Sequence, residues 1–320
     1  MVKALIFGGA GFIGTHLFNT LRALQYKTLI ADIVAPTDEA RDYLNIDVRN
    51  EISGIGGIDQ DTVVYNLAAI HKTPGHEDHE YFETNIRGAE NVCTFAHEHH
   101  INTIVFTSSI APYGPTEFEK YESNLATPNS PYGISKLVAE EIHKRWQARD
   151  PENRRLIILR PGVVFGMGEG GNFTRLYQAL KKRYFFYPGR KDTRKAAIYV
   201  KDLTRLMVEM AKNEPPGVHL YNMCYPHPHS IQDIVHSISS VTGTTKTVPL
   251  VPAWMLRTMA HTISLFMGKK TPLHPDRISK LLFSTNINGE KLKNAGHDLE
   301  YDLESALADW YADNDGQSLS

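Results

Sequence analysis

The stretch Gly8-Gly9-Ala10-Gly11-Phe12-Ile13-Gly14 decides the fold class of this chain. It follows an apolar run at residues 3–7 that has the length of a buried strand, and it precedes residues 15–22, whose apolar side chains recur at helical spacing. Glycine permits positive φ and lets the backbone approach a pyrophosphate, while the first N–H groups of a helix attract its negative charge. The stretch therefore predicts a dinucleotide-binding turn, with Gly8, Gly11, Phe12, Ile13 and Gly14 as contact residues.

A second strand-like run, at residues 27–32, ends in Asp32. A carboxylate about 20 residues beyond the glycine turn lies where the ribose 2′-hydroxyl of a dinucleotide needs a hydrogen-bond acceptor. Ile33 and Val34 follow, so no cation stands there to neutralise a 2′-phosphate. The pattern favours NAD over NADP.

The composition limits the class of protein. The chain has 320 residues, 42% hydrophobic content and a formal net charge of −2. This balance gives no electrostatic attraction to nucleic acid or anionic lipid, and it favours a small-molecule partner. Cys93 and Cys224 lie far apart and the first residues lack a secretory pattern, so we expect a cytoplasmic protein. Segment 251–267 is interrupted by Arg257 and His261, and we expect an amphipathic core or lid helix there, with membrane contact as the alternative.

The spacing of apolar runs predicts an α/β fold. Strand-like runs recur at residues 3–7, 27–32, 62–67, 102–108 and 155–160, separated by segments long enough for helices. This alternation is typical of a doubly wound parallel sheet, which binds ligands at the carboxyl ends of its strands. Glycine and proline punctuate shorter elements from about residue 165. We expect an NAD-binding domain at 1–164 with returning elements at about 196–225, and a smaller C-terminal substrate lobe over most of 165–320.

Tyr132 and Lys136 lie four residues apart, so on a helix they project from one face. We expect the Lys136 ammonium to lower the pKa of the Tyr132 phenol, which can then exchange a proton with an alcohol or a carbonyl oxygen. Lys136 can also reach a cofactor ribose. Residues 102–108 lead directly to Ser109, the first candidate for a hydrogen bond to the substrate oxygen, with Ser108 and Thr107 as alternatives.

With these motifs, the chain resembles the extended short-chain dehydrogenase/reductase family, particularly its nucleotide-sugar epimerases and reductases. The resemblance spans nearly the whole chain. It rests on Gly8-x-x-Gly11-x-x-Gly14, Asp32, Asp47-Val48, Asn66-Leu67-Ala68-Ala69, Asn85, Ser109, Tyr132-x-x-x-Lys136, Arg160-Pro161-Gly162 and Ile198-Tyr199-Val200-x-Asp202. It implies a Rossmann-like sheet, NAD as cofactor and a homodimer formed by helix pairing.

The resemblance also implies roles for residues that spacing alone does not assign. Asp47 and Val48 would contact adenine, Leu67, Ala68 and Ala69 would line the cofactor phosphates and ribose, Pro161 to Val163 would border the nicotinamide, and Asn85 would support the lysine. We include Thr107 among the cofactor contacts.

Two departures from the family pattern bear on the substrate. Family dehydratases carry an Asp-Glu pair directly after the catalytic serine or threonine, whereas this chain has Ile110-Ala111, which argues against dehydration. Val163 replaces the family asparagine that helps to hold the diphosphate of a nucleotide sugar. The substrate-binding candidates are His71, Ser109, Asn172, Arg194, Lys195 and Arg277, and the cations among them fit a solvated surface equally well.

Three functions remain open on the sequence. The leading hypothesis is an NAD-dependent 4-epimerase or 4-keto reductase of a nucleotide sugar, with Ser109, Tyr132 and Lys136 as catalytic residues. Val163 and segment 251–267 motivate a second hypothesis, a dehydrogenase of sterols or other apolar alcohols. The third is a non-catalytic NAD-sensing protein on the same fold. The histidines at 71–79 and 97–100 lack metal-ligand spacing, so no metal site is expected.

Overall fold

The computed structural model describes residues 1–37, 42–71, 75–244, 247–252, 254–255 and 283–320. Most of segment 251–267, and Arg277, therefore lie outside the described residues. The chain forms two compact units. Unit 1 consists of Met1–Gly114, Glu122–Pro161 and Val200–Met223, and unit 2 of Pro115–Tyr121, Gly162–Tyr199 and Cys224–Ser320.

The strands are numbered in chain order over both units. Within the described residues they are β1 (Ala4–Phe7), β2 (Thr28–Asp32), β3 (Tyr43–Asn45), β4 (Val63–Asn66), β5 (Thr103–Thr107), β6 (Thr116–Lys120), β7 (Arg155–Pro161), β8 (Val163–Phe165), β9 (Tyr187–Pro188), β10 (Arg194–Lys195), β11 (Ala197–Tyr199), β12 (Gly217–Met223), β13 (His229–Ser230), β14 (Leu250–Val251) and β15 (Thr285–Ile287).

The helices follow the same numbering. Within the described residues they are α1 (Phe12–Ala23), α2 (Asp78–Glu98), α3 (Pro131–Ala148), α4 (Asn172–Lys181), α5 (Val200–Asn213), α6 (Ile231–Thr242), α7 (Glu290–Asn294) and α8 (Leu303–Asp313), with a short 3₁₀ turn at Ala111–Tyr113. In this described part of the chain, no helix combines the length and apolar character that crossing a bilayer requires.

Unit 1 contains a parallel sheet in the order β3-β2-β1-β4-β5-β7-β12, built from seven of the described strands. The order runs outward in both directions from β1, as in doubly wound folds, so the predicted fold class is confirmed. The five strand-like runs of the sequence form β1, β2, β4, β5 and β7. The edge strands β3 and β12 were not predicted, because β3 has only three residues and β12 is half-exposed along its first part.

The turn between β1 and α1 depends on glycine. Gly8 adopts a φ of +78°, and a Cβ there would lie 2.7 Å from the backbone nitrogen of Ala68. A Cβ on Gly14 would lie 2.6 Å from the carbonyl oxygen of Gly8. Side chains at these positions would push α1 away from the strand ends, so the close approach requires glycine.

Helix α3 carries Tyr132 and Lys136 at its beginning. Its first turn is capped by Ser130, whose hydroxyl accepts a hydrogen bond of 3.1 Å from the backbone nitrogen of Gly133. Pro131 occupies the first helical position, where its missing N–H has no consequence. Further along, α3 buries Ala139 and Trp146 in the apolar core that covers the sheet. The cap and the core together fix where the first turn of α3 lies.

Unit 2 holds a small sheet in the order β13-β10-β15-β6 among its described strands. Strand β6 joins it by pairing Thr116 with Thr285 of β15. Glu117 accepts hydrogen bonds from Arg190 and from the backbone nitrogen of Ser284. No sequence signal indicated that Pro115–Tyr121 belongs to this unit, because its partners follow more than 70 residues later.

Candidate active site

Ser109 and Tyr132 meet at the carboxyl end of β5. Ser109 lies two residues beyond this strand, and its hydroxyl is close enough to the Tyr132 phenol to influence the pKa of the phenol. The backbone nitrogen of Ala111 donates a hydrogen bond of 3.1 Å to Ser109 Oγ, which leaves the serine proton available for another acceptor. The Tyr81 ring from α2 lies 6.2 Å from the Tyr132 ring, between centroids.

The pKa of the Tyr132 phenol is raised above its ordinary value, because the surroundings desolvate the half-buried side chain. The hydrogen bond from Ser109 acts in the opposite direction, and nearby Tyr81 adds to the increase. Lys136 does not contribute to the shift. The expectation of a lowered pKa is therefore wrong for this structure, in which the neutral phenol is favoured.

Lys136 is buried, and its ammonium lies 4.7 Å from the centroid of the Phe106 ring. Burial lowers its pKa to about 7, although the carboxylate of Glu140 opposes this change. Among the described residues, the ammonium has no hydrogen-bond acceptor beyond this ring contact. A buried cation without an acceptor is unfavourable, so the position suits a ligand that brings oxygen atoms to it.

A buried ion pair lies one helical turn beyond Lys136. Glu140 Oε1 accepts hydrogen bonds from Ser108 Oγ at 2.5 Å and from Arg160 Nε at 2.8 Å, and Glu140 Oε2 accepts from Arg160 Nη2 at 2.6 Å. The side chain of Arg160 is 4% exposed and that of Glu140 is 0% exposed. Glu140 was not predicted from the sequence, although its four-residue spacing from Lys136 and an arginine inside an apolar strand were available signals.

His143 extends the buried face of α3. Its ring stacks on Phe106 with 4.0 Å between centroids, and its Nδ1 lies 2.7 Å from the Ala139 carbonyl oxygen. A carbonyl can only accept, so Nδ1 carries the proton and Nε2 accepts from Asn66 Nδ2 at 3.2 Å. Burial lowers the pKa of His143 to about 4, so the imidazole is neutral at physiological pH.

The cofactor candidates at the first strand ends fit a dinucleotide. Asp32 Oδ2 accepts a hydrogen bond of 2.9 Å from the backbone nitrogen of Ala10, which brings the carboxylate to the glycine turn. Gly8 packs against the backbone of Leu67 and Ala68, so these candidates share one edge of the sheet with it. Thr107 Oγ1 is buried and has no hydrogen-bond partner in the described part of the chain. The glycine turn and the unsatisfied groups of Thr107 and Lys136 fit NAD.

Asn85 contacts the backbone of Ile70 and the side chain that precedes the lysine. Its side chain accepts from the backbone nitrogen of Ile70 at 2.9 Å and donates to Ser135 Oγ at 2.9 Å. Ser135 precedes Lys136 on α3, so Asn85 links the loop after β4 to the helix that carries the lysine. Asn85 contacts the neighbour of Lys136, and its support of the lysine stays a prediction.

Asp47 and Val48 lie between β3 and β4. Asp47 Oδ2 pairs with Arg49 Nη2 at 2.6 Å, and this hydrogen bond lowers the pKa of Asp47. Val48 is buried and packs against α2 at Gly88, where a Cβ would lie 2.9 Å from Val48 Cγ2. Their contact with adenine stays a prediction.

The remaining substrate and cofactor candidates are distributed over both units. In unit 1, His71 is exposed. Pro161 is also in unit 1, where its carbonyl oxygen accepts a hydrogen bond of 3.1 Å from the backbone nitrogen of Ile110. In unit 2, Val163 begins β8 and Asn172 begins α4 with an exposed side chain. Their predicted roles remain open.

Arg194 and Lys195 are adjacent on β10 of unit 2, and both contact backbone carbonyls. Arg194 Nη1 donates to Pro228 at 3.0 Å and Lys195 Nζ donates to Phe283 at 2.7 Å. Burial lowers the pKa of Lys195 to about 8. Their role in binding a diphosphate stays a prediction. In the residues described, no three His, Cys, Asp or Glu side chains are grouped to hold a metal ion.

The comparison with known families agrees with this geometry. The model of the NAD dependent epimerase/dehydratase family matches residues 4–224. The chain belongs to this family. The resemblance inferred from the motifs, the enzyme class and NAD as cofactor are thereby confirmed.

Individual relatives align with three quarters or more of the chain. The chain is 28% identical over 316 residues to the N-acetyl-alpha-D-glucosaminyl-diphospho-ditrans,octacis-undecaprenol 4-epimerase of Escherichia coli O157:H7, covering 95% of this chain and 93% of that one. It is 26% identical over 279 residues to the UDP-glucose 4-epimerase of Yersinia pestis, covering 75% and 82%. The UDP-glucose 4-epimerase of Thermus thermophilus in complex with NAD superposes with a TM-score of 0.74 at 18% identity, covering 98% and 99%, and supports the fold.

Proposed function

We propose that this protein is an NAD-dependent 4-epimerase of a sugar carried on a diphosphate. The proximity of the Ser109 hydroxyl to the Tyr132 phenol, with Lys136 one helical turn away on α3, is the observation that carries the proposal. The named activities of the family relatives support the choice of the sugar C4 position.

Tyr132 exchanges the proton of the reaction. In the first half it accepts the proton of the 4-hydroxyl group, and in the second half it returns a proton to the 4-keto oxygen. Ser109 donates its hydroxyl hydrogen to the same sugar oxygen, which stabilises negative charge that develops there. Bound NAD supplies a reversible two-electron acceptor for the sugar carbon.

Lys136 sets the protonation state of Tyr132 only when the lysine is charged. Burial holds its pKa at about 7 in the ligand-free structure, so an acceptor at the ammonium is needed to keep it cationic. The cofactor ribose is the acceptor that we assign to it. A charged Lys136 then favours the phenolate of Tyr132, which must be present for the first proton transfer.

The same residues would serve a 4-keto reductase, since both reactions place a proton donor at the C4 oxygen. The relatives named as 4-epimerases favour epimerisation. Dehydrogenation of an apolar alcohol and non-catalytic NAD sensing rank below it, because these relatives act on diphosphate-linked sugars and the proton-transfer residues are in contact.

A lipid-linked sugar is the second candidate substrate. The relative that acts on an undecaprenol-linked sugar aligns with 95% of this chain. Trp254 and Met255 of unit 2 are 69% and 40% exposed and offer apolar surface that a lipid chain can contact. A nucleotide sugar and a polyprenyl-diphosphate sugar share the diphosphate and the sugar, so the catalytic steps are unchanged.

We also propose a division of binding between the two units, a homodimeric assembly and a cytoplasmic location. Unit 1 would bind NAD and unit 2 the substrate. Ile134 and Val138, spaced four apart on α3, are 41% and 38% exposed and offer an apolar stripe for a homodimer. Cys93 and Cys224 are buried and do not form a disulfide, which suits the reducing cytoplasm.

The test measures conversion of UDP-glucose, UDP-N-acetylglucosamine and a polyprenyl-diphospho-N-acetylglucosamine by the purified NAD-loaded protein. We expect Tyr132→Phe to lower kcat by at least about 100-fold, because proton transfer is lost. Tyr184→Phe is the matched control, since Tyr184 is 62% exposed in unit 2, and it should retain full activity. Absence of conversion of all three sugars, or full activity of Tyr132→Phe, would overturn the proposal.

A further inference from the structure

The buried ion pair behind the active site forms a satisfied network. Both oxygens of Glu140 accept from Arg160, and one also accepts from Ser108. The guanidinium carbon of Arg160 lies 4.7 Å from the centroid of the Tyr113 ring, and Tyr113 donates to Asn222 Oδ1 at 2.9 Å. Buried charges persist when paired and fully hydrogen-bonded, and such networks hold their members in one geometry.

The residue next to the catalytic serine is held at two points, one of which belongs to this network. The backbone nitrogen of Ser108 donates to the Leu159 carbonyl at 2.7 Å, and its hydroxyl donates to Glu140 at 2.5 Å. Ser108 directly follows β5 and precedes Ser109. Rotation of the Ser108 backbone would therefore move the hydroxyl of Ser109 away from Tyr132.

The network also places a charge beside the catalytic lysine. Glu140 follows Lys136 by four residues on α3, and residues at this spacing face each other across one helical turn. The titratable and charged groups around this position are Glu140 and His143 on α3, Arg160 on β7 and Tyr113 in the 3₁₀ turn. In the described part of the chain, Glu140 is the carboxylate that acts on Lys136, while Glu122 acts on Tyr113.

We propose that Glu140 is a positioning residue for the reaction. Held by Arg160, its carboxylate fixes the Ser108 hydroxyl and thereby the direction in which Ser109 presents its own. The same carboxylate adds a negative charge that favours the cationic form of Lys136, in addition to the acceptor that a bound ribose would supply. The inference rests on the proposed function, because Ser109 and Lys136 act in it.

The first measurement follows Lys136 directly in the NAD-loaded protein. Lysine labelled with ¹³C at Cε is titrated by NMR, and Lys136→Met identifies the resonance of Lys136. We expect Glu140→Gln to lower the titration midpoint by about one pH unit, since one nearby charge is lost. The matched control is Glu141→Gln, the same substitution at the adjacent position, where the side chain is 57% exposed and pairs with Lys144. An unchanged midpoint in folded Glu140→Gln would overturn the electrostatic part.

The second measurement isolates the positioning of Ser109. Ser108→Ala removes one hydrogen bond and retains the ion pair, so it should leave the Lys136 midpoint unchanged. We expect kcat to fall about tenfold with little change in KM, as misalignment by one lost hydrogen bond predicts. A wild-type kcat for Ser108→Ala would overturn the positioning part. Ser108→Ala tests this part independently, even if Glu140→Gln does not fold.

The two proposals fail in different ways. If the wild-type protein converts none of the sugars but Glu140→Gln shifts the Lys136 midpoint, the proposed function is wrong and the electrostatic role of Glu140 stands. If the wild-type protein is active and both variants match Glu141→Gln in midpoint and kcat, the proposed function stands and the inference about Glu140 is wrong.

Discussion

Replacement of Lys136 by methionine should stabilise the NAD-free protein while it abolishes catalysis. In the folded protein burial lowers the pKa of Lys136 to about 7, compared with the ordinary lysine value of 10.5 that applies to the unfolded chain. Between these two values the unfolded chain binds more protons than the folded one, so the stability contributed by this group rises with pH. Methionine keeps an apolar stem of similar length without the amine.

The two pKa values give the size of the effect. Proton linkage makes the buried lysine destabilising by about 5 kcal/mol at pH 6 and by about 2 kcal/mol at pH 9. The free energy of unfolding of Lys136→Met should therefore exceed that of the wild-type protein at pH 6, and the difference should narrow by ~3 kcal/mol at pH 9. Urea unfolding at pH 6, 7, 8 and 9, followed by tryptophan fluorescence, measures this difference.

Lys144→Met provides the control on the same helix. The side chain of Lys144 is 36% exposed and pairs with Glu141, so its removal should give a difference in unfolding free energy that does not change over this pH range. If the unfolding free energies of Lys136→Met and the wild-type protein differ by the same amount at pH 6 and pH 9, the reasoning is refuted. A lysine with an ordinary pKa would give that pH-independent difference.

Three further predictions concern the cofactor and the assembly. Gly14→Ala should abolish NADH binding measured by fluorescence, because the added Cβ would lie 2.6 Å from a backbone carbonyl oxygen in the glycine turn. Gly56→Ala is the control and should bind NADH normally, because the space around its Cβ is open. Asp32→Asn should shift the ratio of the Kd values for NAD and NADP about tenfold towards NADP, since one repulsive charge is lost, and an unchanged ratio would remove Asp32 from the ribose site. Val138→Glu should convert a dimer into a monomer in analytical ultracentrifugation; a wild-type protein that is already monomeric contradicts the homodimer.

Much of unit 1 could be predicted because its signals are local. Glycines, the apolar run before them and the helical spacing after them specified β1, the turn and α1 within about twenty residues of chain. Asp32 at the end of β2 followed from the same pattern, and its contact with the glycine turn agrees with that position. Parallel strands end at one edge of a sheet, and the helices that follow them begin there. The position of Ser109 after β5 and of Tyr132 in the first turn of α3 was therefore enough to place the two residues near each other.

The sequence by itself determined the alternation of strands and helices, the glycine turn and the common face of Tyr132 and Lys136, because each depends on backbone geometry over a few residues. The tertiary structure alone decided the pairing of Glu140 with Arg160, the edge strands β3 and β12 and the raised pKa of Tyr132. Hydrogen-bond partners and desolvation depend on atoms that the fold brings together from distant parts of the chain, and no local pattern records those distances.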